Sequence, residues 1–124
     1  STAEAEQLFL DPLREQEVIL FVDARDDRHF QEGHIPGAYQ LDRYYPEKHL
    51  PVVLPACLRA VKVVVYCAGG TCEDSEFAAL SLIEAGVPRE RIYVFVEGMA
   101  GWVAQNRPIE IGVSNSGQPR TAAP

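Results

Sequence analysis

Two thiols five positions apart, Cys67 and Cys72, bracket the residues Ala68, Gly69, Gly70 and Thr71 and run directly into Glu73, Asp74 and Ser75. A cysteine acts as a nucleophile or a redox partner only as its thiolate, and an ordinary thiol ionises near 8.5. Something must therefore favour the anion. The four residues before Cys67 are Val63, Val64, Val65 and Tyr66, an apolar run typical of a buried strand. Glycines after a strand end allow a tight turn into the next helix. Successive N–H groups in such a turn form an anion-binding nest, reinforced by the positive end of the following helix. The anion there could be a phosphate, a sulfur oxyanion or the cysteine thiolate itself. Glu73 and Asp74 act in the opposite sense, because a nearby like charge disfavours ionisation.

The rest of the chain supplies the elements that must hold this loop. Residues 18–22 (VILFV), 61–66 and 92–96 (IYVFV) are continuous apolar runs, and 38–41 reads as a short strand. Helical patterns lie between them. Residues 2–9 follow Ser1 or Thr2 as an N-cap, and 26–32 end at Gly33. Residues 73–85 carry Phe77, Leu80 and Ile83 at spacing three, with Ala78 and Leu82 beside them, and Gly86 sits at the left-handed C-cap. Pro46, Pro51 and Pro55 predict a broken helix over 42–61 ending near Ala60. Trp102, after a Gly-rich turn, opens a last short helix. The reading is an α/β domain with a mainly parallel sheet of about four or five strands, helices on both faces, and Cys67 at a strand's C-terminal end. That is where ligands bind in open parallel sheets. The domain spans 1–111, and 112–124 (GVSNSGQPRTAAP) reads as a flexible tail.

A chain of 124 residues buries roughly two-thirds of its unfolded surface as one domain and needs no staples. A formal charge of −7 argues against nucleic acid as a partner. No apolar run reaches the roughly 18–20 residues of a spanning helix. Three cysteines (Cys57, Cys67, Cys72) make neither a disulfide framework nor a paired zinc site. The odd count points to a free thiol. A reduced cytoplasm is the default compartment, and nothing in the sequence excludes an extracytoplasmic one.

Three segments in order give the chain a resemblance. VDARDDRHFQEGHIPGA (22–38), VVVYC (63–67) and EGMAGW (97–102) resemble the signatures of the rhodanese-like domains, a sulfurtransferase family, over nearly the whole length to about residue 111. The resemblance implies that Cys67 attacks the outer sulfur of a donor, carries it as a persulfide and passes it to a nucleophilic acceptor. It implies that the loop amides of Ala68 to Cys72 stabilise the charged sulfur and that no metal or organic cofactor is required. The donor would be a small-molecule or protein persulfide and the acceptor a thiol. This chain departs from the pattern in two ways. The family's loop carries an arginine where Cys72 stands, and Ser75 arrives two residues late. Weak use of thiosulfate follows from the lost cation, with Arg25 and Arg43 as the nearest candidates to replace it.

Several residues have a bland reading beside the chemical one. Cys72 is a resolving thiol, a second sulfur carrier or an inert loop residue. A bridge to Cys67 requires Cα atoms within about 7 Å, which the spacing allows. Thr71 and Asp74 fit a capping box, so Glu73 and Asp74 read as first-turn carboxylates before they read as proton carriers. Asp23 and Arg25 read as a structural ion pair at the site's edge. His34 fixes a turn, His29 and His49 are surface residues, Trp102 is a packing anchor, and Cys57 belongs to the core. Tyr44 and Tyr45 rim the pocket or pack on the surface. The alternatives to sulfur transfer are a dithiol redox switch using Cys67 and Cys72, and a non-catalytic interaction module. A phosphatase of this architecture needs Cys-x5-Arg, and no arginine occurs between Cys67 and Arg89.

Overall fold

The computed structural model describes residues 1–113. Each apolar run forms a strand: β1 (Ile19–Asp23), β3 (Lys62–Tyr66) and β4 (Ile92–Phe95), with a two-residue β2 (Tyr39–Gln40). All pair in parallel in the order β2-β1-β3-β4. The helices are α1 (Thr2–Leu10), α2 (Asp27–Glu32), α3 (Pro46–Arg59), α4 (Asp74–Glu84) and α5 (Gly98–Ala104). No described helix is long and apolar enough to cross a membrane.

Side chains alternate across a strand, so the sheet builds two cores. Leu20, Val22, Val63 and Val65 pack with Val53, Ala56 and Cys57 of α3 and Ala78, Ala79 and Leu82 of α4. Ile19, Phe21, Val64, Tyr66 and Phe95 face the other way, onto Ala5 and Phe9 of α1 and Met99 and Trp102 of α5. Trp102 is fully buried, its ring 5.2 Å from Phe9, and its indole N–H donates to the Pro108 carbonyl at 2.7 Å. Helices therefore cover both faces of a parallel sheet, as the sequence predicts. The N-cap at Ser1 forms a capping box with Glu4, and Gly86 takes a positive φ of 116° after α4.

Three expectations fail. The helix over 42–61 is not broken: α3 is one helix through Pro51 and Pro55. Both prolines and Glu47 lie on its exposed side, where water can satisfy the Glu47 and Pro51 carbonyls left without donors. The apolar face of α4 is not the one the spacing suggests. Ser75, Ala78, Ala79 and Leu82 are buried, while Phe77 and Leu80 are over 40% exposed (42% and 44%). Small alanines toward the sheet let the helix approach closely. The third strand is not covered on both faces, because β4 is an edge strand and Tyr93, Val94 and Val96 are exposed. Of the expected tail at 112–124, residues 114–124 lie outside the described residues.

Candidate active site

Strands β1 and β3 are in register, with Asp23 opposite Tyr66, so their C-terminal ends emerge side by side. The Ala24 N–H donates to the Tyr66 carbonyl at 2.8 Å. Residues 24–25 and Cys67 thus begin from one edge of the sheet.

The cysteine loop is shaped by glycines and held by the start of α5. Gly69 and Gly70 have φ of 103° and 61°, which side chains disfavour. The carbonyls of Cys67 and Ala68 accept from Met99 and Ala100, both at 2.9 Å. A Cβ on Gly98 would stand 2.5 Å from the Cys67 carbonyl oxygen and 2.7 Å from the Gly69 nitrogen, and one on Gly69 would collide with the Glu97 carbonyl. EGMAGW is therefore the clamp on the loop, and its glycines are there for close approach. The Cys72 N–H closes the turn onto the Gly69 carbonyl at 3.1 Å, so it is not part of an anion nest. Among the described residues, the N–H groups of Ala68, Gly69, Gly70 and Thr71 donate to no other protein group. That leaves four amides available to an anion, one fewer than the expected Ala68 to Cys72.

Cys67 and Cys72 are paired as a disulfide, with Cα atoms 6.5 Å apart. Cys67 is only 2% exposed, whereas Cys72 is half-buried and lines a cleft of about 170 Å³. Ser75, itself buried, places Oγ 3.5 Å from Cys67 Sγ, within reach of a sulfur hydrogen bond. Cys57 lies in the core, unpaired, its thiol pushed up to about 12 by burial.

The cleft is acidic. Asp26, Asp42 and Asp74 line it with Arg25, His29 and Tyr44. Asp26 accepts from the His29 backbone N–H at 3.0 Å and meets His29 Nδ1 at 2.7 Å; these hydrogen bonds lower its pKa. Asp74 stands 3.4 Å from Arg43, whose guanidinium lies 3.9 Å from the Phe77 ring centroid and 4.4 Å from that of Tyr44. Arg25 does not face the cleft as an unengaged cation. It forms a buried fork onto Asp23, with Nη2 donating to Oδ2 at 2.7 Å, and it also donates to the Gly33 carbonyl. Burial alone would depress its pKa, and the Asp23 hydrogen bond and charge more than offset that, raising it. Tyr66 is held well above its ordinary value, by burial first and then by Asp23, and its hydroxyl accepts the Ile35 N–H at 3.0 Å.

A sequence profile of the Rhodanese-like domain matches residues 6–105. The chain belongs to that family. Among solved structures, this rhodanese-like domain is similar to a protein from Bacillus halodurans, at 23% identity and TM-score 0.70, covering 90% of this chain and 77% of the other. It is similar to a thiosulfate sulfurtransferase from Pseudomonas aeruginosa at 25% identity and TM-score 0.64, covering 90% of this chain. It spans only 20% of that enzyme's chain. A rhodanese-like domain of an Anabaena protein aligns at 25% identity and TM-score 0.64, over 97% of this chain and 85% of the other. No curated protein sequence matches the chain.

The domain gathers some candidate residues and scatters others. Cys67, Ala68, Gly69, Gly70, Thr71, Cys72 and Ser75 share one loop and helix entrance, with Asp74 on the cleft wall. The capping box does not form: α4 has Glu73 as N-cap without a side-chain cap bond, Glu73 is exposed, and Asp74 turns to Arg43. His29 is a surface residue that also walls the cleft. His49 is only half-buried, and its Nε2 is buried without a partner among the described residues. His34 is fully buried, stacked on Phe30 at 3.7 Å, and its Nε2 lies 3.3 Å from buried Glu110. Tyr44 lines the cleft while remaining largely exposed, as is Tyr45. Sequence reasoning missed Asp26, Asp42 and Glu110. Asp26 and Asp42 each follow a strand's C-terminal end, which was the signal for them. Glu110 offered none, because its partners lie 73 and 76 residues away.

Proposed function

We propose that this rhodanese-like domain is a sulfurtransferase or persulfide carrier that loads sulfane sulfur on Cys67. The observation that carries the reading is the position of Cys67: it ends β3 within a glycine-shaped loop that has four unengaged N–H groups. The Cys67 thiolate attacks the outer sulfur of a donor, the donor's leaving group departs with the bonding electrons, and the persulfide is held by the loop amides. An acceptor thiolate then takes the outer sulfur and returns Cys67 as thiolate. The small acidic cleft favours a neutral or protein-bound persulfide over a dianionic donor.

The test is intact mass of the reduced protein after exposure to thiosulfate, polysulfide or an alkyl persulfide. A gain of one sulfur in samples quenched with an alkylating agent immediately after mixing, removed by reductant and abolished by Cys67→Ser, is expected. Loading that survives Cys67→Ser and disappears in Cys72→Ser would move the nucleophile to Cys72.

The Cys67–Cys72 bridge supports a second reading, a dithiol redox switch. On that reading mild oxidant closes the bridge, the mass falls by two hydrogens and sulfur loading stops. Two thiols that stay alkylatable after oxidation would remove it.

A further inference from the structure

We propose that Cys72 discharges the Cys67 persulfide from within, releasing hydrosulfide and leaving the Cys67–Cys72 disulfide. This rests on the sulfur-loading reading above and gives it a direction: sulfane sulfur is reduced rather than handed to a diffusing acceptor.

Three observations converge. First, the Cα atoms of the two cysteines are 6.5 Å apart, inside the range that a bridge spans, and the sulfurs are paired. No backbone rearrangement is needed to bring Cys72 onto Cys67. Second, this proximity is built in. The positive φ values of Gly69 and Gly70 reverse the chain, and the Cys72 N–H is tied to the Gly69 carbonyl, which holds residue 72 against the start of the loop. Third, Cys72 stands on the cleft wall while Cys67 is nearly sealed from solvent. An external acceptor must pass Cys72 to reach a persulfide on Cys67. An acceptor already in place competes with the advantage of an intramolecular reaction.

The chemistry balances as follows. The Cys72 thiolate attacks the Cys67 Sγ, the inner sulfur of the persulfide in its protonated form, Cys67–S–SH, whose proton leaves with the outer sulfur. A bond forms between the two cysteine sulfurs, the Sγ–Sδ bond breaks, and its electron pair leaves with the outer sulfur as HS⁻. The sulfane sulfur gains two electrons and the two cysteines lose them. Hydrosulfide is the anion of a stronger acid than an alkyl thiol, so it is the better leaving group. Attack on the outer sulfur would instead shift the persulfide to Cys72 without changing the mass. The disulfide is the product of the inner-sulfur route. A dithiol reductant must reopen it before the next turnover.

The experiment is a single turnover with fully reduced protein. One equivalent of an alkyl persulfide is added, small molecules are removed by rapid desalting, and intact mass and released sulfide are followed with no thiol present. Wild type should end two hydrogens lighter, with about one sulfide released per chain. Cys72→Ser should load one sulfur and keep it, releasing sulfide at least roughly tenfold more slowly until an external thiol is added. Wild type that holds its sulfur as long as Cys72→Ser overturns the proposal and leaves the sulfurtransferase reading standing. Failure of both Cys72→Ser and Cys72→Ala to load, with wild type loading, makes Cys72 the carrier and also overturns it. Failure of all three to load, by any donor, removes the sulfurtransferase reading itself.

Discussion

Replacing Asp74 by Asn should raise thiosulfate turnover, and by an amount that tracks the donor's charge. Asp74 and Cys72 wall the same small cleft, and a donor taken to sit roughly 6 Å from the Asp74 carboxylate sets the scale of the repulsion. Asp74 is 30% exposed, so water's dielectric is the conservative choice. One pair of like charges at that distance then repels by about 0.7 kcal/mol, and a dianion by about 1.4 kcal/mol. The larger figure is about tenfold in rate. Screening with a Debye length of about 8 Å at 0.15 M salt halves the energy, leaving about threefold. Asp74→Asn also releases Arg43 from its 3.4 Å contact, which acts in the same direction. The assay is sulfur transfer to cyanide from thiosulfate and from an organic thiosulfonate, which carries one charge, at low and at 0.15 M salt, in a Cys72→Ser background where no internal discharge competes. The gain should be about tenfold for thiosulfate at low salt and about threefold for the thiosulfonate, and both should shrink with salt. Equal gains for both donors, or a gain indifferent to salt, would show that Asp74 acts by shaping the cleft and would refute the electrostatic account.

Gly98→Ala should abolish sulfur loading and cost about 1–3 kcal/mol in urea denaturation, because its φ is 57° and its Cβ would meet the Cys67 carbonyl at 2.5 Å. Gly70→Ala, whose Cβ meets nothing within 4 Å, should be milder. Arg25→Leu leaves the buried Asp23 carboxylate without its fork and should destabilise the fold by about 3–5 kcal/mol in the same measurement; less than about 1 kcal/mol would mean that the fork carries little of the fold's stability. Above pH 9 the fold should weaken. Burial pushes the Cys57 thiol from 9.0 to about 12, so the folded chain keeps a proton that the unfolded chain releases. That stability is complete below about pH 9 and is lost as the pH rises toward 12, amounting to about 4 kcal/mol at most. Cys57→Ala should flatten the fall between these limits, and an unchanged slope would assign it to Tyr39 and Tyr66, whose pKa values are also raised.

Strands β1 and β3 were legible because both are covered on two faces, which leaves an uninterrupted apolar run that nothing else in a short domain needs. β4 carries the same kind of run and was misjudged. Whether a strand is central or at the edge depends on sheet order, which composition does not encode. The face of α4 was hidden for a related reason: Phe77 is apolar but its ring is covered by Arg43, a partner 34 residues away by number. The cysteine loop could be located because strand end, glycines and thiols are consecutive. The electrostatic character of its cleft could not, because Asp26, Asp42 and Asp74 come from three segments that meet only at the sheet's edge. α3 shows the limit of a local rule. Two interior prolines forbid two hydrogen bonds, and burial of Val53, Ala56 and Cys57 on the opposite side holds the helix regardless.

The clamp between Gly98 and the cysteine loop also sets an order of events in the life of the chain. The loop takes its shape from hydrogen bonds given by Met99 and Ala100, some thirty residues further on. Strands β1 and β3 can pair as soon as residue 66 is available, but the amide nest has no fixed form until the segment 97–102 docks. During synthesis, which delivers the N-terminal part first, the chain therefore passes through a stage with most of its sheet and no assembled thiolate cradle. On the proposed function, the loop would become competent only when α5, the last described helix, docks, and a chain released before that would carry Cys67 as an ordinary thiol.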